Sequence, residues 1–97
     1  MRLSPHAQQL IKTEAQNIFG AETSVYLFGS RVDDAKRGGD IDLYLEPAVQ
    51  QELFEKKIRF LTVLQRRLGE QKIDLVLKDS TKELPIYQIA KSTGIAL

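Results

Sequence analysis

The sequence contains no cysteine, no tryptophan and only one histidine, His6. Without cysteine, disulfides and thiolate metal sites are excluded. His6 lies near the N-terminus, far in sequence from the polar motifs described below, and we expect it to face solvent. No apolar run approaches the length of a membrane span, and the first residues lack the apolar core of a signal peptide. We therefore expect a cytoplasmic protein.

An excess of charge of one sign is also missing. The 97 residues include 14 basic and 13 acidic side chains, for a net charge of +1. This balance argues against direct nucleic-acid binding and against a charged membrane surface as partner. The length suits one small domain, residues 1–97, with a modest core. If the chain is an enzyme, we expect another chain to supply part of the substrate recognition.

Apolar periodicity and turn residues predict the order helix, strand, strand, helix, strand, helix. The predicted bounds are residues 5–19, 24–28, 40–45, 49–68, 72–77 and 85–92, with a possible edge strand at 95–97. Ser4 and Pro5 form a typical helix start, and Gly20 a typical helix end. This order predicts an α/β (α+β) fold, a small mixed sheet flanked by helices.

The long helix carries an apolar stripe that we expect to face the core. At about 100° per residue, the stripe covers an arc of roughly 160°. Its members are Leu53, Phe54, Ile58, Phe60, Leu61, Leu64 and Leu68. Part of the stripe could instead be a surface for a partner.

Three aspartates are the candidate catalytic and metal-binding residues. Asp40 and Asp42 alternate with apolar residues of the second strand, so their carboxylates share one face. Asp74 lies on the polar face of the third strand and would join them if the two strands are neighbours. Two carboxylates about 4 Å apart repel by about 4 kcal/mol at an effective dielectric of 20, and a divalent cation removes that cost. Three carboxylates suit two Mg²⁺ ions that catalyse phosphoryl or nucleotidyl transfer, although solvated strand aspartates are the simpler alternative.

Gly29 and Ser30 directly follow the first strand and could bind phosphate. Glycine lets the backbone approach a ligand closely, and a helical turn from Ser30 onward would point its N–H groups at an anion. The Ser30 hydroxyl could donate to the same phosphate. Arg31 could add a charged contact to it. For Arg31, as for Lys36 and Arg37, a solvated loop charge is the alternative.

The spacing of these residues resembles a known signature. Gly29-Ser30, nine further residues and then Asp40-Ile41-Asp42 is similar to the motif of the DNA polymerase β-like nucleotidyltransferase superfamily. Asp74 resembles the third carboxylate of that superfamily. The context GSRVDDAKRGGDIDLYLE and the small size resemble its minimal nucleotidyltransferase (MNT) branch, over residues 25–97. Many members carry serine before the first aspartate, where Gly39 stands here.

The resemblance implies the polymerase β-like fold and a Mg²⁺-dependent transfer of a nucleoside monophosphate, with ATP as the expected donor of AMP. Gly29 and Ser30 would hold the NTP phosphates, and Asp40, Asp42 and Asp74 would bind two Mg²⁺ ions. The acceptor would be a hydroxyl of a partner macromolecule. Many MNT proteins are paired with a HEPN-domain protein, often a ribonuclease toxin, and some transfer AMP to its tyrosine.

Other functions stay open at this point. The chain could be a non-catalytic binding module that neutralises a HEPN ribonuclease by masking its surface. Transfer to a small molecule is a further possibility, although such enzymes usually have a second domain. Transfer to an RNA 3′ end is another, and the near-neutral charge argues against it.

Overall fold

A computed structural model describes residues 3–33, 39–69 and 71–97, so Lys36 and Arg37 of the predicted loop lie outside the described residues. The helices are α1 (Pro5–Phe19), α2 (Leu53–Leu68) and α3 (Pro85–Thr93). The strands are β1 (Ser24–Phe28), β2 (Ile41–Glu46), β3 (Ile73–Leu77) and β4 (Ile95–Ala96), and a 3₁₀ turn spans Gly29–Val32. Within the described ranges, no helix is both long and apolar enough to cross a bilayer.

The strands form one mixed sheet in the order β3-β2-β1-β4. β1 runs antiparallel to β2 and to β4, whereas β2 and β3 are parallel. A parallel pair needs a long crossover, and α2 provides it between β2 and β3. These observations confirm the predicted class, a small mixed sheet with helices, and the predicted edge strand at the end of the chain.

The first helix has the predicted bounds because its end signals are strong. The Ser4 hydroxyl accepts a hydrogen bond of 3.1 Å from the Ala7 N–H, which satisfies one of the free donors of the first turn. Gly20 ends the helix with φ of 113°, a backbone angle that side chains disfavour. The adjacent strand β1 also has the predicted bounds.

The long helix begins at Leu53, and the prediction of a start at Val49 was wrong. The N–H of Val49 donates to the Phe19 carbonyl (3.0 Å), and the N–H of Ala48 donates to the Thr23 hydroxyl (3.1 Å). The Gln50 side chain donates to the carbonyl of Lys78 (3.1 Å). These bonds tie residues 48–50 to the end of α1 and to residues that flank β1 and β3. Glu52 then has φ of 53°, an angle that an α-helix does not contain, so the helix begins after it.

The sheet is covered on both faces, which makes three layers. On one face, α1 and α2 bury a large aliphatic core with the inward residues of the strands. Its completely buried members include Ile11, Phe19, Leu27, Leu43, Leu45, Phe60 and Leu64. On the other face, α3 covers Tyr44, which stacks on Tyr87 at 5.8 Å between ring centroids and also contacts Tyr26.

The buried stripe of α2 is narrower than predicted. Phe60 and Leu64 are completely buried, but Phe54 is 75% exposed and Ile58 is 51% exposed. Both exposed residues belong to the outer edge of the predicted arc, where the helix surface turns away from the sheet. The expectation that these two side chains join the core was therefore wrong.

Two phenylalanines of α2 provide a test of this packing. Phe60→Ala should lower the free energy of unfolding by about 3–5 kcal/mol, because it opens a cavity beside Phe19, whose ring centre is 5.6 Å away. Phe54→Ala, on the same helix but exposed, should change it by less than about 0.5 kcal/mol. Urea unfolding followed by circular dichroism measures both. Equal losses would contradict the described packing of α2.

Candidate functional site

Two of the predicted carboxylates meet at one end of the sheet. The parallel register pairs Asp42 of β2 with Asp74 of β3. Side chains at paired positions point to the same face, and neighbouring strands are about 4.8 Å apart. The two carboxyl groups lie close enough to share a hydrogen bond. The condition attached to Asp74 in the sequence, that its strand neighbours the second, is therefore met.

Gly29 lies directly against this pair. Phe28, the last residue of β1, is paired with Asp42 in the antiparallel register, so the chain leaves β1 beside the Asp42 carboxyl. Gly29 has φ of 74°, and a Cβ at this position would collide with the Asp42 Oδ2. Glycine is required here for its backbone angle and for the space that the carboxyl occupies. Ser30 follows in the 3₁₀ turn.

Asp40 lies just before β2, not inside it as predicted, and it faces a cation. Its Oδ2 is 3.4 Å from the Lys72 Nζ. The Ile41 N–H donates to the Lys72 carbonyl (3.0 Å), so the register of the two strands also brings residues 40 and 72 side by side. Lys72 lies just before β3, two positions before Asp74, and approaches the carboxylates from the strand's start. One ammonium group thus borders the cluster of three aspartates.

Arg31 joins the segments that precede the two acidic strands. Its Nε donates to the Gly39 carbonyl (3.4 Å), and its Nη2 donates to the Gln71 Oε1 (3.5 Å). The guanidinium is therefore at the same end of the sheet as the carboxylates. Its predicted contact with phosphate stays a prediction, as does that of Ser30.

The electrostatics at this end favour protonation of Asp42. Burial raises the pKa of Asp42 above its ordinary value of 3.8, and the charges of Asp74 and Asp40 raise it further. The hydrogen bond that protonated Asp42 can donate to Asp74 acts in the same direction, whereas the Lys72 charge opposes it. A strained negative cluster of this kind in a partly buried position is typical of functional sites.

The donor set fits Mg²⁺ chemically, since hard oxygen ligands from two or three carboxylates are those that Mg²⁺ prefers. A cation at Asp42 and Asp74 would offset the repulsion between the two carboxylates. Within residues 3–33, 39–69 and 71–97, however, no three acidic or histidine side chains already stand in a metal-holding arrangement. Asp42 and Asp74 are paired, whereas Asp40 contacts Lys72. Metal binding by the three aspartates stays a prediction.

A separate cleft of about 420 Å³ opens at the other end of the same sheet face. Tyr44, Tyr87 and Glu46 border it, together with lysines such as Lys78 and Lys91. The Tyr44 hydroxyl donates to the Glu46 Oε2 (3.0 Å), and burial followed by this bond raises the pKa of Tyr44. The cleft contains none of the predicted site residues.

Sequence reasoning missed Lys72 and Gln71 as members of the site. Lys72 had a detectable signal, because it stands two positions before Asp74 in a predicted strand and therefore on the same face. Gln71 had no such signal in the sequence, since its contact with Arg31 joins residues that are 40 positions apart.

The contact between Gly29 and Asp42 predicts that the effect of Gly29→Ala on the free energy of unfolding depends on the Asp42 side chain. Gly29→Ala should lower the free energy of unfolding by about 2–3 kcal/mol through backbone strain and the displaced carboxyl. In an Asp42→Ala background, the cost should fall by at least about 0.5–1 kcal/mol, because the obstacle is gone. Gly69 is the matched control, since it has φ of 84° and a methyl group added there would meet nothing within 4 Å. The cost of Gly69→Ala should be the same in both backgrounds in urea unfolding. An equal cost of Gly29→Ala in both backgrounds would refute the contact.

The raised pKa of Asp42 predicts an unusual dependence of stability on pH. Between its ordinary pKa of 3.8 and the higher folded pKa, the folded protein holds a proton that the unfolded chain has lost. Stability from this group therefore falls as pH rises through that window and stays low above it. In EDTA, Asp42→Asn should be more stable than wild type at pH 7, by on the order of 1 kcal/mol, and equally stable near pH 3.

Asp79 is the control of opposite sign for that measurement. Hydrogen bonds from the Thr81 hydroxyl and N–H lower the pKa of Asp79. Its contribution to stability is present above 3.8 and is lost as pH falls through the lower folded pKa. Asp79→Asn should therefore be less stable than wild type at pH 7, as measured by thermal unfolding across pH. A destabilised Asp42→Asn at pH 7 would contradict the described electrostatics.

No known family model matches the chain, and no curated protein is similar enough to count as a relative.

Proposed function

We propose that this chain is a Mg²⁺-dependent nucleotidyltransferase with the polymerase β-like fold. It would transfer a nucleoside monophosphate, AMP from ATP as the first choice, to a hydroxyl of a partner macromolecule. We further propose that this partner is a HEPN-domain protein and that the chain acts as its antitoxin. The partner and the antitoxin role rest on the resemblance of the motif described above.

One observation carries the proposal: three motifs that are far apart in sequence meet at one end of the sheet. Asp42 and Asp74 are register partners, and Gly29 lies against the Asp42 carboxyl. A phosphate held at the turn after β1 would lie beside carboxylates that can hold a cation. This juxtaposition is what transfer of a phosphate ester requires, because catalysis there depends on positioning and on charge stabilisation.

The chemistry assigns a role to each residue. The acceptor hydroxyl oxygen forms a bond to the α-phosphorus, the bond to the β-phosphate oxygen breaks, and pyrophosphate leaves. Asp74, the exposed member of the pair, would receive the hydroxyl proton. The backbone of Gly29 and Ser30 and the Ser30 hydroxyl would hold the phosphates. Asp40, Asp42 and Asp74 would hold Mg²⁺, which when bound stabilises the charge on the phosphates.

A specific observation also supports a second candidate, the non-catalytic binding module. Phe54 and Ile58 stand one helical turn apart on α2 and are exposed. Paired apolar side chains on one exposed helix face suit a protein partner. In this alternative the chain would mask a HEPN ribonuclease without modifying it.

The decisive experiment follows label from ³²P-ATP, with Mg²⁺, into a lysate of the source cells. Label from the α-position should enter a protease-sensitive band with wild type and disappear with the Asp42→Asn, Asp74→Asn double variant. Label from the γ-position should not transfer, because it leaves with pyrophosphate. Asp79→Asn, which removes a carboxylate far from the site, is the control and should transfer label like wild type.

Other results would point elsewhere. Transfer of γ-label would refute nucleotidyl transfer and indicate a phosphotransferase. Nuclease-sensitive α-label would replace the protein acceptor by RNA. No transfer with any of the four NTPs, together with a stable complex that Phe54→Ala and Ile58→Ala weaken, would leave the binding module.

A further inference from the structure

Lys72 stands at the edge of the proposed metal site, and the proposed reaction gives it no role. Its Nζ lies 3.4 Å from the Asp40 Oδ2. Backbone pairing holds it there, since the Ile41 N–H donates to the Lys72 carbonyl at 3.0 Å. The side chain is 72% exposed, so its flexible stem can move into solvent with little loss of packing.

The Lys72 charge acts on the whole carboxylate cluster. The hydrogen bond with Asp40 raises the pKa of Lys72, and the charges of Asp40, Asp74 and Asp42 also raise it. In return, the Lys72 charge lowers the pKa of Asp42. The ammonium therefore offsets part of the repulsion among three carboxylates when no metal ion is bound.

We propose that Lys72 is a built-in counter-ion of the metal-free site and that a divalent cation must displace it from Asp40. This inference rests on the proposed function, because it assumes that the aspartates hold Mg²⁺. An ammonium next to a ligand oxygen repels a dication, and it already pairs with one of the carboxylates that the dication would bind. Because exposed ion pairs are weak, the competition is modest, and the metal wins at sufficient concentration.

Removal of the Lys72 charge should have opposite effects in the metal-free and the metal-bound protein. Without metal, removing the Lys72 charge should destabilise the fold, because the carboxylates lose their counter-ion. With metal, removing it should tighten binding, because nothing needs to be displaced. A lysine that only supported the strand would produce the first effect without the second.

The test measures Mn²⁺ affinity at 0.15 M salt from the electron paramagnetic resonance signal of free Mn²⁺. Lys72→Gln should lower the Kd by about three- to tenfold, the range expected for a close but solvated charge. Lys72→Arg keeps the charge and should stay within about twofold of wild type. Lys78→Gln is the control for net charge. At about 3.3 Å per residue, Lys78 lies roughly 20 Å from Lys72 along the direction of β3. This distance is well beyond the Debye length of about 8 Å, so its charge is screened at the site. The Kd of Lys78→Gln should equal that of wild type.

Thermal unfolding supplies a readout that needs no metal. In EDTA, Lys72→Gln should unfold at a lower temperature than Lys72→Arg, and saturating Mg²⁺ should raise its midpoint by more. If wild type binds Mn²⁺ and Lys72→Gln binds it equally or more weakly, the inference is overturned and the proposed metal site stands. If Lys78→Gln tightens Mn²⁺ binding as much as Lys72→Gln, the net charge of the protein sets the affinity, and the inference about Lys72 is overturned. Absence of Mn²⁺ binding by every protein would overturn both the inference and the proposed function.

Discussion

The repulsion between the Asp42 and Asp74 carboxylates is the constraint on which the rest of the site depends. Two adjacent parallel strands place these side chains at paired positions, and Leu43 with Leu75 occupies the next pair on the opposite face. Burying one leucine contributes about 1.5–3 kcal/mol, so the core favours this register strongly. A slip of β3 by one residue would turn Leu75 away from the core and Asp74 into it. The carboxylates are therefore forced together by the packing of the other side of the sheet.

The surrounding residues accommodate that repulsion in different ways. Gly29 leaves the space that the Asp42 carboxyl fills, and the raised pKa of Asp42 records the remaining cost. Lys72 supplies a positive charge at Asp40. Each of these features lowers the stability of the fold or only partly offsets the repulsion between the carboxylates. This pattern is expected where function rather than stability selects the residues.

The covering of the second sheet face decides which part of it stays open. α3 stacks its Tyr87 ring on Tyr44 of β2 and shields the middle of that face. Asp42 and Asp74 lie beyond this aromatic cluster, toward the end where β2 and β3 begin. A ligand could therefore reach the carboxylates from that end, beside the turn after β1. The exposed Phe54 and Ile58 of α2 are candidate contacts for the proposed partner.

Local sequence signals predicted much of the fold, because they act within a few residues. Ser4, Pro5 and Gly20 delimit α1 through capping and backbone geometry that need no tertiary partner. Alternation placed Asp42 and Asp74 on polar strand faces for the same reason. The start of α2 was predicted wrongly, because residues 48–50 bond to distant parts of the chain and Glu52 has a left-handed backbone angle. The exposure of Phe54 was also missed, because an apolar arc does not reveal how much of it a small sheet can cover.

By itself, then, the sequence determined the kinds and approximate bounds of the elements, the mixed helix-and-sheet class and the residue types available for phosphate and metal chemistry. Periodicity and end signals are local, and local chemistry suffices to read them. Only the tertiary structure decided that Asp42 faces Asp74, that Gly29 makes room for the Asp42 carboxyl and that Lys72 meets Asp40. Those contacts depend on which strands pair and in which register. That choice is made by the burial of the whole core, and no short segment of the chain contains it.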